Sequence, residues 1–141
     1  MMHSLIALVT LLSLALFFWM GADVARARIR FGVPAPAVTG HPEFERHFRV
    51  QANTLEGLVL FLPALWVFAL TIDGVQGSNL GDNIGAALGL VWIVGRVIYM
   101  RSYVRDPASR GLGFGVQALA TVLLLMGGLV AIVCGLVKTG L

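Results

Sequence analysis

Four apolar stretches, each bounded by polar or helix-breaking residues, divide the chain. No charged residue occurs from Ser4 to Ala22, from Gly57 to Ile72 or from Gly111 to Val137. A helix needs about 20 apolar residues to cross the hydrocarbon of a bilayer. The first and last runs reach that length alone, and the middle ones reach it when their polar ends lie at the interface. The pattern predicts four helices, at about Ser4–Arg28, Pro42–Ile72, Leu80–Arg105 and Leu112–Lys138. VPAPAVTGHP separates the first two, because Pro34, Pro36 and Pro42 cannot continue a helix and Gly40 permits a turn. DGVQGSNLGD separates the second from the third, and Asp106-Pro107 with Gly111 breaks the third from the fourth. Pro63 is expected to kink the second helix.

Composition agrees. The chain is 58% hydrophobic and 12% charged, too few charges to cover a soluble domain. The expected fold is an all-α membrane protein, a single four-transmembrane-helix bundle over residues 1–141. The first run could instead be a signal peptide, but it lacks a basic leading segment, and its arginines follow the apolar run. Cys134, the single cysteine, rules out an internal disulfide framework and reads as a lipid-facing or packing residue.

Charge placement adds an orientation. Arg26, Arg28, Arg30, Arg46 and Arg49 flank the first connection, and Arg96, Arg101, Arg105 and Arg110 flank the last. The middle connection carries Asp73 and Asp82 and no basic residue. The positive-inside rule puts both basic connections in the cytoplasm and both termini outside. Two membrane-proximal arginine clusters do not make a nucleic-acid surface, so no nucleic-acid partner is expected. Gly81, Gly85 and Gly89 recur every fourth residue. They read either as a close-approach row for another helix or as glycine of the kind common in membrane helices.

Polar residues on helical faces carry the candidate chemistry. Arg49, Asn53 and Glu56 stand at i, i+4 and i+7, and Arg96, Tyr99 and Tyr103 at i, i+3 and i+7, so each set lines one face. Arg46, Arg101 and Arg105 suit interfacial anchors. Glu56, about four turns into its helix and just before an apolar run, is costly in lipid without a partner. Arg49 or Arg96 could be that partner structurally, or a polar ligand could be. The inventory of arginine forks, a carboxylate, Asn53, Gln51 and two tyrosines suits a small zwitterion with extra carboxylates. His3, His41 and His47 have no metal-ligand spacing with cysteine or acids, so no metal is expected. No Ser-His-acid constellation is visible.

The segments TGHPEFERHFRVQANTLEGLVLFLPALW and GRVIYMRSYVRDPASRGLGF resemble the MAPEG family, membrane-associated proteins in eicosanoid and glutathione metabolism. The core of the first reads Glu45-Arg46-x-x-Arg49-x-Gln51-x-Asn53-x-x-Glu56, and the likeness spans nearly the whole chain. It implies four helices per subunit, a homotrimer, and glutathione as co-substrate bound between adjacent subunits near the cytoplasmic face. By motif, Arg49, Gln51, Asn53, Glu56, Tyr99 and Tyr103 match glutathione-binding positions, and so does Arg28 in a more loosely matching region. Arg110 matches the arginine proposed to activate the thiol in the leukotriene-synthase branch. Gly57 departs from that branch, which carries a tyrosine there. The chain looks more like a bacterial member, which implies a multi-pass protein of the bacterial inner membrane.

The resemblance implies a membrane-embedded glutathione transferase or peroxidase. Its second substrate would be a lipophilic electrophile or hydroperoxide arriving from membrane lipid. A non-catalytic lipid- or glutathione-binding membrane protein is the alternative. A small transporter is a third reading, without an inverted repeat to support it.

Overall fold

The computed structural model describes residues 3–76 and 78–140; Gly77, in the predicted middle connection, lies outside them. Helix α1 covers Ser4–Phe31, α2 Pro42–Gln76, α3 Leu80–Arg105 and α4 Gly111–Thr139, with a short 3₁₀ turn at Pro107–Arg110. All four helices are long and apolar enough to cross a membrane. Their outward faces are apolar: Leu11, Phe18, Val59, Leu60, Leu119 and Val130 are all exposed, as expected where lipid rather than water is the solvent.

Two helices run further than the apolar pattern predicts. Helix α1 passes Arg28 and ends at Phe31, where Gly32 adopts φ +64° and its N–H reaches the Arg28 carbonyl. Helix α2 passes Ile72 and ends at Gln76. A helix stops where its backbone is capped, not where the hydrocarbon ends. Pro63 lies inside α2 without interrupting it.

The middle of the bundle is held by stacked aromatics and small residues. Phe61 of α2 and Trp92 of α3 stack at 4.2 Å with 7° between their planes. The glycine row of α3 lies inside the subunit. A Cβ on Gly85 would stand 2.8 Å from Ile6 Cδ1, and one on Gly89 would stand 3.5 Å from both Leu65 and Phe61. The row is therefore a close-approach surface for α1 and α2, the first of its two sequence readings. Helices α3 and α4 meet just as closely: a Cβ on Gly95 would stand 2.8 Å from the Gln117 nitrogen, and one on Gly113 would collide with the Tyr99 backbone.

At the end carrying the termini, two buried carboxylates hold helix starts. Asp82 accepts from Leu5 N and Ile6 N at 3.3 and 3.1 Å. Asp73 accepts from Gly81 N and Asp82 N at 2.6 and 3.2 Å. Each carboxylate answers N–H groups that a helix cannot satisfy itself, and each favours the positive end of the helix dipole. At the opposite end, Arg46 Nη1 donates to the carbonyls of Val104 and Arg105, both at 3.2 Å. The predicted interfacial anchor is thus also a cap on the end of α3.

Candidate functional site

Helical spacing aims α2 and α3 at one another. The Arg49–Asn53–Glu56 face of α2 and the Arg96–Tyr99–Tyr103 face of α3 meet along a cavity of about 710 Å³ closed on its third side by α4. Asn53 Nδ2 donates to Tyr99 Oη at 2.6 Å, which joins the two faces directly. Tyr103 packs against Tyr99, with ring centroids 5.5 Å apart.

The turn between α3 and α4 delivers the last cation. Asp106 accepts from Ala108 N at 3.1 Å, and Pro107 fixes the first position of the turn. Ser109 Oγ donates to the carbonyls of Ser102 and Asp106 at 3.0 and 2.7 Å. These bonds fold the chain back so that the Arg110 guanidinium lies 5.9 Å from the Tyr103 ring centroid, at the cavity mouth.

The cavity changes character with depth. Arg49, Tyr103 and Arg110 line its polar mouth, Glu56 lies seven residues further along α2, and Leu60, Trp92, Val122 and Leu125 line the far end. From Arg49 to Leu60 is eleven residues, or about 16 Å of helical rise. One cavity therefore joins a charged end to an apolar end.

Six of the eight predicted site residues share this cavity: Arg49, Asn53, Glu56, Tyr99, Tyr103 and Arg110. The other two do not. Gln51, two residues from Arg49 and so on another helix face, sets its amide against α1, where a Cβ on Gly21 would stand 3.1 Å from Nε2. Arg28 lies over the Phe44 ring at 4.8 Å and donates through Nη1 to the Ala37 carbonyl at 2.6 Å, in the connection between α1 and α2.

Glu56 and Arg49 are exposed in the single chain. Among the described residues, no arginine lies within ion-pair distance of Glu56, so neither structural partner weighed from the sequence is realised. Arg96 instead donates through Nη2 to the Asn53 carbonyl and lies 4.9 and 5.6 Å from the Tyr99 and Trp92 ring centroids.

Two buried polar residues of the cavity wall, Arg96 and Gln117, are not among the site residues expected from the sequence. Spacing makes Arg96 a face member and a candidate partner for Glu56; in the structure it forms part of the cavity wall. Gln117 also lines the cavity; its signal was being the single amide in the uncharged run Gly111–Val137.

Comparison with known proteins gives a consistent result. The MAPEG family model matches residues 6–130. The chain is 41% identical to an uncharacterized protein of Synechocystis sp. over 126 residues, covering 89% of this chain and 86% of the relative. It is 36% identical to microsomal glutathione S-transferase 2 of Homo sapiens over 127 residues, 87% and 81% of the two chains. It is 37% identical to leukotriene C4 synthase of Bos taurus over 107 residues, 76% and 66% of the two chains.

Proposed function

The chain belongs to the MAPEG family, and from that premise we propose that it is a membrane-embedded glutathione transferase. One observation carries the reading. A single cavity joins a cluster of guanidinium, carboxylate, amide and phenol groups to an apolar inner end. The polar cluster suits a tripeptide with two carboxylates and an ammonium, and the apolar end suits a second substrate drawn from lipid. Relatives that include a microsomal glutathione S-transferase and a leukotriene C4 synthase support the same reading.

In this mechanism Arg49 holds a carboxylate of glutathione through its planar fork. Glu56 accepts from the γ-glutamyl ammonium, and Asn53, with Tyr99 and Tyr103, positions the peptide. Arg110 lies beside the sulfur. A free thiol is mostly protonated at neutral pH, and a neighbouring guanidinium favours the thiolate. The thiolate then attacks the electrophilic carbon, forming C–S and releasing the leaving group. With a hydroperoxide it would attack the distal oxygen, releasing the alcohol. A second glutathione would then resolve the sulfenic acid to disulfide and water.

Arg28 and Gln51 enter this scheme through a second copy of the chain. Exposed Arg49 and Glu56 would be costly against lipid, so a neighbouring subunit is expected to cover the mouth and bring its own Arg28 and Gln51 to it. A homotrimer meets that requirement. By the positive-inside rule, the two basic connections support a mouth on the cytoplasmic side, where glutathione would be available, with both termini across the membrane. An inner-membrane location in a bacterium fits the Synechocystis relative.

The test uses purified protein in lipid nanodiscs, glutathione, and a panel of aryl halides, epoxides and fatty-acid hydroperoxides. Glutathione-dependent turnover of at least one electrophile is expected. Absence of both glutathione binding and turnover would overturn the reading.

A further inference from the structure

Midway along the cavity, two side chains keep hydrogen-bonding capacity that no described residue answers. Arg96 is 2% exposed, and its Nε has no partner, although Nη2 is held by Asn53. Gln117 is 6% exposed, and its Oε1 has no partner either. Both line the cavity. Buried polar groups are normally paired, so an unpaired group in a cavity wall points to something that comes to meet it.

The chemistry of the pair narrows what that is. A guanidinium only donates, whereas an amide both donates and accepts. Trp92, Phe114, Ala118 and Val122 line the same cavity and offer apolar surface to a chain, beside the polar Glu56, Tyr99 and Thr121. The unanswered atoms are a donor, Arg96 Nε–H, and an acceptor, Gln117 Oε1. A hydroxyl, accepting from the first and donating to the second, answers both, whereas a carbonyl oxygen would leave Oε1 without a donor. Depth narrows it further. Gln117 is seven residues beyond Arg110, and Arg96 seven before Tyr103, so both lie about 10 Å inside the polar mouth. An oxygen at the end of a lipid would be held at the interface instead.

We propose that Arg96 and Gln117 determine specificity for a lipophilic second substrate that carries one hydroxyl part-way along an apolar chain. The proposal rests on the reading above only in taking the inner cavity as the place for that substrate.

The test measures binding without glutathione. Protein in nanodiscs is titrated with the methyl ester of a mid-chain hydroxy fatty acid and with the matching saturated ester. Binding is followed by tryptophan fluorescence, since Trp92 lines the cavity. The wild-type chain should prefer the hydroxy ester by about tenfold, in line with one or two net hydrogen bonds. Gln117→Leu should reduce that preference to within about twofold while still binding the saturated ester. Gln117→Met gives the same readout should the leucine variant fail to fold. Equal binding of both esters by the wild-type chain would show that water alone satisfies the pair and would overturn the proposal. So would an undiminished preference in the variants. Selective binding without glutathione turnover would remove the transferase reading and leave this one standing.

Discussion

The guanidinium of Arg96 lies in the space that a side chain at Gly57 would need: a Cβ built there would stand 2.6 Å from Arg96 Nη2. The two positions are therefore coupled. Arg96 crosses from α3 to reach the Asn53 carbonyl because α2 presents no side chain at 57. Gly57→Ala is expected to displace Arg96 and to lower stability by about 1–3 kcal/mol, the usual cost of overpacking. In a double-mutant cycle with Arg96→Ala, the two changes should be non-additive by about 1 kcal/mol. Thermal unfolding in detergent measures this, and additive effects would sink the coupling.

Arg110 is placed at the mouth by its turn rather than by packing in the core. Arg110→Ser should therefore leave the fold and glutathione affinity nearly unchanged while lowering turnover at least tenfold, as expected when a group stabilising the thiolate is lost. Steady-state kinetics with glutathione and one aryl halide, beside calorimetric binding of glutathione, separates the two. Full activity would remove Arg110 from the chemistry.

Glu56 has the opposite expectation. Without an arginine partner among the described residues, it is available for an ammonium. Glu56→Gln should weaken glutathione binding by about tenfold, the scale of one charge-assisted hydrogen bond. Unaltered affinity would reduce Glu56 to a contact between subunits.

Glycines of α4 provide an internal contrast. A Cβ on Gly113 meets the Tyr99 backbone, whereas one on Gly115 meets nothing within 4 Å. Gly113→Ala should destabilise by at least about 1–3 kcal/mol. Gly115→Ala should be neutral or stabilising by about 0.5–1 kcal/mol, since alanine is the better helix former. Melting temperatures of the two variants, measured together, decide it.

At the far end, Asp82→Ala removes the acceptor for Leu5 N and Ile6 N. It should cost about 0.5–2 kcal/mol, the range for a lost N-terminal cap. Glutathione affinity should not move, because the site lies at the opposite end of α3. A change in affinity of more than threefold would contradict that separation.

The apolar runs made the four helices legible, and helical spacing put Arg49, Asn53 and Glu56 on one face of α2 and Arg96, Tyr99 and Tyr103 on one face of α3. Spacing within one helix could not say which faces meet. Gln51 belongs to the same motif as Arg49 yet faces α1, and Arg28 is held by the connection that follows its own helix. Arg96 was visible as a charge inside an apolar helix. Its role depended on the absence of a side chain at 57, a contact between helices that no single-helix pattern encodes. Gln117 was hidden for a simpler reason: one amide in a long apolar run gives no period to read.

Leu60, Val122 and Leu125 line the inner cavity and are also exposed on the outer face of the chain. On the proposed reading, the two reactants reach the site from different phases. Glutathione would be met at its aqueous concentration, but the lipophilic partner at its mole fraction in the bilayer. Adding inert phospholipid at fixed total substrate should then slow the reaction by surface dilution, and the apparent KM for that partner would describe the membrane as much as the protein.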